Sequence, residues 1–330
     1  MKKNIAVVAG GNSSEYVVSI NSAAEIAKVI DKEKYNVYTV VIKGDEWLVR
    51  GNLFCDLVLS REDFSFTFNN QKTKFDCAVI MIHGTPGEDG ILQGYFEALG
   101  IPYTSSGVLA SALTFNKLFS KQYVQSYDIP LAKYVYLTSK DSIDTDEIIN
   151  YLGLPCFVKP NKGGSSFGIS KVKTKEELLP ALEHAFKEDD EILIEEFLDG
   201  VELTCGLIKT KEKSYVFPPT EIVSKNEFFD YEAKYTKGMA DEITPARISS
   251  ELETEVKILS SKLYDIFNLS GLVRIDYIYC NEKLYFMEVN TIPGMSAASI
   301  VPQQIEVLGV PLKEILSLSI EDSIQKNKIK

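Results

Sequence analysis

Two neighbouring apolar runs near the C-terminus carry carboxylate and amide side chains at alternate positions. The runs span residues 272–280 and 284–290, and the three residues between them predict an antiparallel hairpin. In that register Asp276 lies opposite Glu288, and Asn290 belongs to the same face. Opposed carboxylates repel each other unless a cation neutralises them, and these oxygen ligands favour Mg²⁺ or Mn²⁺ over zinc. The hairpin therefore predicts a divalent cation site.

The metal prediction depends on the register of the hairpin. A two-residue turn would place Asp276 and Glu288 on opposite faces, and the loop lacks the Gly that three-residue turns favour. The alternative interpretation is the solvated acidic face of an edge hairpin. Arg274, predicted to lie opposite Asn290, alternates with apolar residues that indicate a buried second face. That alternation favours the metal site.

A second segment, residues 159–171, combines a lysine with a Gly- and Ser-rich loop. Lys159 ends one apolar run, and the segment KPNKGGSSFGISK leads into another. Backbone N–H groups in such loops form nests that bind anions, and glycines let them approach phosphate oxygens closely. The segment matches neither the P-loop motif nor G-x-G-x-x-G, so a phosphate site and a flexible connection both remain open.

Four more side chains are candidates for a nucleotide site. Lys117 lies in a predicted helix and Lys234 in a polar stretch, and most lysines in such places are simply solvated. Glu195 and Glu202 lie at and beyond the end of an apolar run, where they could accept hydrogen bonds from nucleotide amino and hydroxyl groups. Without other evidence, Glu195 and Glu202 would each be interpreted as an ordinary surface carboxylate.

The N-terminal region offers two further candidates at the ends of apolar runs. Glu15 follows the first run through residues 10–14, and ligand sites in α/β sheets lie at such strand ends. Its other interpretation is a capping box with Asn12 as the N-cap residue. His83, one of two histidines in the chain, follows the run at residues 77–82. Its place at a strand end favours a role in a site.

Composition limits the kinds of partner. The 330 residues carry 35 Lys and Arg against 47 Asp and Glu, a formal net charge of −12, and 45% are hydrophobic. These values exclude a disordered or fibrous chain, and an acidic balance without a basic run argues against nucleic acid and anionic membranes as partners. No apolar stretch approaches the roughly 20 residues that span a bilayer. Five widely spaced cysteines without a C-x-x-C pair favour the reducing cytoplasm.

The secondary-structure elements that position these residues show two different patterns along the chain. At the start of the chain, short apolar runs alternate with helical patterns, which predicts a parallel α/β sheet. From Pro130 onward, short strands follow one another too closely for helical crossovers, which predicts an α+β region with antiparallel pairing. The polar stretch 224–247 is interpreted as a lid rather than a disordered segment. The predicted helices span residues 14–30, 91–99, 108–127, 251–267 and 303–320.

Together the motifs resemble the D-alanine:D-alanine ligase family of the ATP-grasp superfamily. The resemblance covers nearly the whole chain, and the order of the motifs makes it specific. The matching runs are GGNSSEYVVS (10–19), HGTPGEDG (83–90), SGVLASALTFNK (106–117), VKPNKGGSSFGISKV (158–172), ILIEEFLDGVE (192–202), YEAKY (231–235), RIDY (274–277) and EVNTIPGMSAASIVP (288–302).

The resemblance implies an ATP-grasp fold that combines α/β and α+β regions in three domains. A parallel α/β N-terminal domain at residues 1–110 would precede two largely antiparallel sheet domains, 111–198 and 199–330, which enclose ATP. The lid loop of the third domain would be residues 224–247. A homodimer in the cytoplasm is also implied.

The family implies binding residues for ATP and for two cations, Mg²⁺ or Mn²⁺. Those implied for ATP are Lys117, Lys159, Ser165 and Lys234, with Glu195, Glu196, Leu198 and Glu202 around adenine and ribose. Those implied for the two cations are Asp276, Glu288 and Asn290, the set that the hairpin predicts without the resemblance.

The family also implies where two D-alanine molecules would bind. Glu15 would hold the ammonium group of the first, and His83 would lie in the substrate site. Ser299 and the backbone of Ile300 would bind the carboxylate of the second.

The remaining implied residues belong to the chemical step. Arg274 and the backbone N–H of Gly294 would form an oxyanion site, and Ser165 with Tyr235 would link Glu15 to the lid. Tyr235 matches the family members that form a dipeptide rather than D-alanyl-D-lactate.

The implied reaction joins two D-alanine molecules for peptidoglycan precursor synthesis. ATP would phosphorylate one D-alanine to an acylphosphate, which the amine of the second attacks, releasing ADP, phosphate and D-alanyl-D-alanine. The first alternative is a ligase that takes D-lactate or D-serine as second substrate. A silent nucleotide-binding protein would lack a metal ligand, and a dinucleotide-dependent oxidoreductase would show G-x-G-x-x-G after the first strand.

Overall fold

The computed structural model describes residues 2–51, 54–164, 167–224 and 240–327. These residues form three main sheets, a separate two-stranded hairpin and the helices that pack on them. The mixed class predicted from the sequence, with a parallel α/β start and antiparallel sheets after it, is confirmed. Within the described part of the chain, no helix is long and apolar enough to cross a membrane.

The first sheet has a parallel centre and an antiparallel edge. Its strands are β1 (Lys3–Gly10), β2 (Tyr35–Lys43), β3 (Glu46–Gly51), β4 (Phe54–Val58) and β7 (Cys77–Ile80), and the hairpin is β5 (Ser65–Phe68) with β6 (Gln71–Lys74). The order is β4-β3-β2-β1-β7, with β1 parallel to both β2 and β7. The added strands β3 and β4 pair antiparallel, so a purely parallel sheet is wrong at this edge.

The two helices of this region begin and end close to their predicted limits. They are α1 (Tyr16–Val29) and α2 (Ile91–Leu99), and α1 packs on β1 and β2. Every side chain from Ile5 to Ala9 is fully buried in β1, because the sheet is covered on both faces. The strand end at Gly10 therefore leads from a rigid core into the turn that carries Glu15.

The second sheet is antiparallel and packs on two helices. Its strands are β8 (Tyr134–Thr138), β9 (Cys156–Pro160), β10 (Ser170–Val172) and β11 (Glu191–Glu196), in the order β10-β9-β11-β8. The helices of this region are α3 (Val108–Phe115), α4 (Lys117–Gln125), α5 (Thr145–Leu152) and α6 (Lys175–Ala185). Alternate residues of β9 and β11, such as Val158 and Ile194, pack with α5 and α6. The opposite face of the two strands carries Lys159 and Glu195 next to the apolar Phe157 and Leu193.

The third sheet is also antiparallel, and its strands come from the C-terminal part of the chain. Its strands are β12 (Val201–Lys209), β13 (Ser214–Val216), β14 (Thr220–Ser224), β15 (Ala240–Ile243), β16 (Leu272–Cys280) and β17 (Lys283–Asn290). The order is β15-β14-β12-β16-β17, with β13 also paired to β12. The helices are α7 (Ser250–Ile266), α8 (Ile300–Leu308) and α9 (Leu312–Asn327). α7 covers one face, and Ile315 and Ile320 of α9 join the core of the first sheet.

Two predicted helices are interrupted, and each break has a local cause. The helix predicted at 108–127 divides at Asn116, which is extended and accepts a hydrogen bond from the backbone N–H of Phe119 at 2.9 Å. That bond makes Asn116 the N-cap of α4. The helix predicted at 303–320 divides at Gly309, which ends α8 in the left-handed conformation with φ of 77°.

Candidate active site

A cavity of about 460 Å³ lies between the second and third sheets. Strands β9 and β11 and helix α4 contribute residues on one side, and β12, β14, β16 and β17 contribute residues on the other. Many residues that the sequence singled out line it together: Lys117, Lys159, Glu195, Glu196, Leu198, Glu202, Arg274, Asp276, Glu288 and Ile300. The volume and the charged lining suit a polar ligand of small-molecule size.

The acidic pair predicted from the hairpin is present. Asp276 of β16 lies opposite Glu288 of β17, and Arg274 lies opposite Asn290. All four side chains therefore belong to one face of the sheet. The predicted pairing of these residues is confirmed.

The turn that was expected to produce this pairing is different. Cys280 pairs with Lys283 rather than with Leu284, so the turn has two residues and the predicted three-residue loop is wrong. Asn281 and Glu282 occupy it with φ of 49° and 58°. Two consecutive left-handed residues are typical of the type I′ turn, which matches the twist of a hairpin.

A β-bulge restores the register beyond the turn. Tyr277 pairs with Phe286, whereas Asp276 pairs with Glu288, so Met287 is an extra residue in β17. Without this bulge, the two-residue turn would set Asp276 opposite Met287 and turn Glu288 to the other face. The bulge therefore brings the two carboxylates together.

Cationic side chains of the chain itself balance the charge of the pair. Arg274 donates two hydrogen bonds to Asp276, from Nε at 2.8 Å and from Nη2 at 2.7 Å. Burial by itself would lower the pKa of Arg274, but the Asp276 carboxylate overrides burial and raises it above its ordinary value. Lys117 Nζ lies 3.7 Å from Glu288 Oε2. Repulsion between the carboxylates is therefore already reduced by Arg274 and Lys117.

The donor set at this position fits a hard cation. Asp276 and Glu288 line the cavity, and Asn290 belongs to the same face of the hairpin, so the three offer carboxylate and amide oxygens together. Thr204 also donates a hydrogen bond to Asp276, and Asn290 donates one from Nδ2 at 2.9 Å. In the described residues no three His, Cys, Asp or Glu side chains group as metal ligands. Asn290 adds an amide oxygen to the two carboxylates of this face.

The facing sheet presents a carboxylate between two lysines. Glu195 Oε2 lies 2.6 Å from Lys159 Nζ, and Glu195 Oε1 lies 2.9 Å from Lys121 Nζ. All three side chains are buried, with 10% or less of each exposed. Burial would raise the pKa of Glu195, but the two lysines outweigh burial and lower it to about 2. Glu195 is therefore an anion at neutral pH.

Lys117 is held at the start of α4 by the base of the Gly-rich loop. The side-chain oxygen of Asn161 accepts a hydrogen bond from the backbone N–H of Leu118 at 2.8 Å, and its backbone oxygen accepts one from Lys117 at 3.1 Å. Lys117 Nζ donates to the backbone oxygen of Gly163 at 2.7 Å. The lysine and the loop are thus fixed to each other at the cavity wall.

Glu196, Leu198 and Glu202 also line the cavity. Glu196 accepts a hydrogen bond from the backbone N–H of Lys133 at 2.8 Å, which holds its carboxylate beside the strand. Glu202 pairs with Ile222 and Ile278, and both of these also line the cavity. The apolar and carboxylate groups together are suited to a base and a ribose.

Glu15 lies at the N-terminus of α1, but the capping box predicted with Asn12 is wrong. The helix begins at Tyr16 without a side-chain cap, and Asn12 Oδ1 accepts a hydrogen bond from the backbone N–H of Gly44 instead. The Glu15 carboxylate faces the backbone of Gly84, where a Cβ atom would lie 3.4 Å from Oε2. It also faces Gly164, so it reaches from the first sheet to the Gly-rich loop.

His83 connects the first sheet to the segment after β17. Nδ1 lies 2.9 Å from the backbone oxygen of Ile292 and can only donate there, so Nε2 accepts from the Ser22 hydroxyl at 3.4 Å. Burial lowers the pKa of His83, which keeps the ring neutral. His83 therefore braces the segment that carries Gly294, and it is not among the residues that line the large cavity.

Glu88 is a neighbour that the sequence analysis did not select. It accepts hydrogen bonds from the backbone N–H groups of Gly84 at 2.8 Å and Ile292 at 3.3 Å. Burial, assisted by the charge of Glu15, raises its pKa to about 8. Its position five residues after His83 in the same motif is the signal that could have identified it.

Gly294, Ser299 and Ile300 come together at the start of α8. Ser299 precedes the helix, and its hydroxyl lies 2.8 Å from the hydroxyl of Ser296. A Cβ atom at Gly294 would lie 3.0 Å from Ser299 Oγ, so the Gly294 backbone is close to the helix N-terminus. Helix N-termini attract anions through their free N–H groups.

Some predicted residues are separate from the cavity or cannot be placed. Glu15, His83, Gly294 and Ser299 do not line the large cavity but form a neighbouring group that also contains Glu88 and Ile292. Ser165, Lys234 and Tyr235 lie outside the described residues, as does most of the predicted lid at 224–247. The roles assigned to these three side chains stay predictions.

Lys121 is the second residue that the sequence analysis missed. It lies four residues after Lys117, on the same face of α4, where both side chains point into the site. That spacing was a usable signal. The partner of Lys121, Glu195, comes from a distant strand and could not be identified from the spacing.

Two family models match the chain. The model described as "D-ala D-ala ligase N-terminus" matches residues 4–106, and the one described as "D-ala D-ala ligase C-terminus" matches residues 123–321. A D-alanine--D-alanine ligase of Phocaeicola vulgatus is 52% identical over 323 residues, which is 98% of this chain and 99% of that protein.

Solved structures of the same group share the fold. D-alanyl-alanine synthetase A from Vibrio cholerae has a TM-score of 0.87 at 30% identity, covering 98% of this chain and 99% of that one. A D-Ala:D-Ser ligase from Enterococcus faecalis has a TM-score of 0.84 at 32% identity, covering 97% and 99%. A D-alanine--D-alanine ligase from Bacillus anthracis, complexed with ATP, has a TM-score of 0.79 at 30% identity, covering 99% of each chain.

The family models, the identity to the Phocaeicola vulgatus protein and the shared fold agree with the motifs and with the geometry of the cavity. The chain belongs to the D-alanine–D-alanine ligase family.

Proposed function

We propose that the chain joins two D-alanine molecules to D-alanyl-D-alanine with the consumption of ATP, for peptidoglycan precursor synthesis. One observation carries the proposal: the cavity between two antiparallel sheets sets Lys117 and Lys159 against the opposed pair Asp276 and Glu288. Cations for phosphates and carboxylates for metal ions thus share one site, as phosphoryl transfer requires. The enzyme is an ADP-forming ligase of the family to which the chain belongs.

The first step is phosphorylation of a carboxylate, because a carboxylate has no leaving group that an amine can displace at neutral pH. A carboxylate oxygen of the first D-alanine attacks the γ-phosphorus of ATP, and ADP leaves. Lys117 and Lys159 stabilise the phosphate charge at the cavity wall, and we assign Lys234 and Ser165 to the same region by family membership. Glu195, Glu196, Leu198 and Glu202 surround the adenine and ribose.

Asp276, Glu288 and Asn290 are the proposed ligands of two Mg²⁺ or Mn²⁺ ions. Their oxygen donors on one face of the hairpin support this assignment. When bound, the ions would neutralise phosphate charge and hold the phosphate chain in place. Arg274 and Lys117 provide the charge balance of the two carboxylates in their absence.

The amino acids are assigned to the group of residues beside the cavity. Glu15 would hold the ammonium of the first D-alanine, and His83 would keep the segment after β17 in position. Ser299 and the Ile300 N–H at the start of α8 would bind the carboxylate of the second. The N–H of Gly294 is assigned to the reacting carbonyl, and the position of the Gly294 backbone beside that helix end supports the assignment.

The second step is attack of the second D-alanine's amine on the acylphosphate carbon. The tetrahedral oxyanion would be stabilised by Arg274 and the Gly294 N–H, and the carbon–oxygen bond to phosphate then breaks. Ser165 and Tyr235 are assigned to the link between Glu15 and a lid at 224–247, which would exclude water from the acylphosphate. These two assignments rest on family membership.

D-lactate and D-serine are not favoured as second substrates, because the relative that is 52% identical is a D-alanine--D-alanine ligase. The division into domains at 1–110, 111–198 and 199–330 and a cytoplasmic location remain proposals. A homodimer is also proposed. It is supported by apolar side chains exposed on α3 and α4, including Leu109 and Phe119, which are 79% and 53% exposed. Light scattering of the purified protein would test the dimer.

Isotope transfer tests the proposed reaction. D-alanine labelled with ¹⁸O in both carboxylate oxygens would be incubated with ATP and Mg²⁺, and the released phosphate analysed by mass spectrometry. An acylphosphate route places one ¹⁸O atom in each phosphate, because the attacking carboxylate oxygen leaves with phosphorus. Phosphate without label, formed together with the dipeptide, would contradict the route.

A further inference from the structure

We infer that Lys121 is a positioning residue that offsets the charge of Glu195, so that the positive charge of Lys159 stays available to an ATP phosphate. It acts through Glu195 and Lys159 rather than through contact with the nucleotide. The inference rests on the proposed function, since it concerns the ATP site. It assigns a role to a buried lysine that the proposed reaction does not use.

The three side chains form one buried group. Lys121 is 1% exposed and lies 2.9 Å from Glu195 Oε1, while Lys159 lies 2.6 Å from Glu195 Oε2. Each carboxylate oxygen thus contacts its own lysine. Burial strengthens such pairs, because little water is present to screen them.

The charge of the group depends on Lys121. Burial lowers the pKa of Lys121, and the Glu195 carboxylate opposes that shift. With Lys121 protonated, two lysines and one carboxylate sum to +1, whereas Lys159 and Glu195 alone sum to zero. A lysine paired with a single carboxylate attracts phosphate weakly, because the two charges cancel at a distance. Lys121 offsets the charge of Glu195 and leaves that of Lys159 available to a phosphate.

The arrangement of the backbone supports an indirect role. Lys159 comes from β9 and Glu195 from the adjacent β11, on the face that is turned away from the Val158 and Ile194 core. Lys121 comes from α4, one turn after Lys117, and has the least exposed side chain of the three. Lys121 therefore lies deeper in the cavity wall with its ammonium group on Glu195, and Lys159 is the more exposed of the two lysines.

The test compares nucleotides that differ in charge. Binding of adenosine, ADP and ATP to the full chain would be measured by calorimetry for the wild type, Lys121→Met, Glu195→Gln and the double variant Lys121→Met with Glu195→Gln. Lys121→Met should weaken ADP and ATP binding by about tenfold and change adenosine binding by less than about twofold. The double variant has the wild-type charge of +1 and should regain most of the preference for ADP over adenosine.

Further measurements separate charge from packing. Lys121→Arg keeps the charge and should retain the preference for ADP over adenosine. Glu195→Gln removes a proposed contact with the adenine and should weaken all three ligands alike, so its preference for ADP over adenosine should be no lower than that of the wild type. Lys121→Met should show a raised KM for ATP when ATP is varied. Its kcat, measured at saturating ATP, should stay within about threefold of the wild type. Lys28→Met, which removes an exposed lysine of α1, is the control and should bind all three ligands normally.

Equal losses for adenosine and ADP in Lys121→Met would overturn the inference, because they would indicate a structural role or direct contact with the base. Failure of the double variant to regain ADP preference would also overturn it. If Lys121→Met does not fold, a lower ADP preference in Glu195→Gln than in the wild type decides against the inference. A wild type that binds no nucleotide would instead contradict the proposed function.

Discussion

The carboxylate of Glu15 lies against the backbone of Gly164, so close that a Cβ atom at position 164 would lie 2.9 Å from Oε2. The contact joins the N-terminus of α1 to the Gly-rich loop of the second sheet. Gly164 needs no left-handed backbone, so the absence of a side chain serves to leave space for Glu15. The proposed binding group for the substrate ammonium is therefore positioned by a glycine.

Gly164→Ala should displace the Glu15 side chain without unfolding the protein, because the far end of a flexible side chain can move. We expect the KM for D-alanine to rise by roughly ten- to hundredfold, with the KM for ATP nearly unchanged. Steady-state kinetics with each substrate varied in turn would measure this. Gly94→Ala in α2 is the control, since its Cβ would meet nothing closer than 3.9 Å. An unchanged KM for D-alanine would contradict the role of Glu15.

Glu288→Gln should reduce activity by about 100-fold, because the amide replaces a charged oxygen ligand at the same position. Binding of Mn²⁺ in the presence of ADP, followed by electron paramagnetic resonance, should weaken in parallel. Glu282→Gln makes the same change in the turn of the same hairpin and should leave both properties intact. Normal Mn²⁺ binding by Glu288→Gln would argue that Glu288 is not a ligand.

Arg274→Lys should lower kcat by about 100-fold while the protein stays folded. Lysine keeps the positive charge but cannot donate the two hydrogen bonds, at 2.8 and 2.7 Å, that fix the guanidinium on Asp276. Measurement of kcat and of the KM for ATP would separate a loss of transition-state stabilisation from weaker nucleotide binding. A variant with near wild-type kcat would exclude Arg274 from the oxyanion site.

Glu88→Gln should change how stability depends on pH. Burial raises the pKa of Glu88 from 4.5 to about 8, so its neutral form is favoured in the folded protein. That contribution is fully present below pH 4.5 and is lost as the pH rises through about 8. Glutamine never ionises, so the variant should have a Tm close to the wild type at pH 5 and roughly 5 °C above it at pH 8.

Glu88→Gln and the wild type are compared by the difference between their Tm values at each pH, because neighbouring groups also titrate in both proteins. His83 is held neutral by burial, and its effect has the opposite sign: it stabilises the fold above about pH 6.5 and less so as the pH falls. Glu15 and Glu288 add to the cost of ionising Glu88. A Tm difference that stays constant between pH 5 and 8 would show that Glu88 does not carry the effect.

The hairpin shows how much of the site could be predicted. The alternation of polar and apolar residues assigned Asp276 and Glu288 to one face, because side-chain direction follows from a local period of two. The turn and the bulge at Met287 depend on backbone conformations that residue types such as Asn281 and Glu282 only weakly indicate. The two errors, in the turn and in the ladder, cancel at the acidic pair.

Other differences come from tertiary contacts. The break at Asn116 depends on a hydrogen bond to Phe119 that competes with a continuous helix, and a window of apolar residues does not reveal it. The antiparallel strands between residues 46 and 74 were missed because they are short and carry many polar residues. Spacing from Lys117 and from His83 could have identified Lys121 and Glu88 as candidates, but their partners are distant in sequence or on the backbone, so their roles could not be predicted.

The most direct test of the proposed function is phosphate release from ATP and Mg²⁺ by the purified protein. D-alanine, L-alanine and a mixture of D-alanine with D-lactate would be supplied separately, and the products identified by mass. Release that depends on D-alanine, with D-alanyl-D-alanine as product, is the result that the account predicts. Folded protein that binds ATP but releases no phosphate with D-alanine would contradict it.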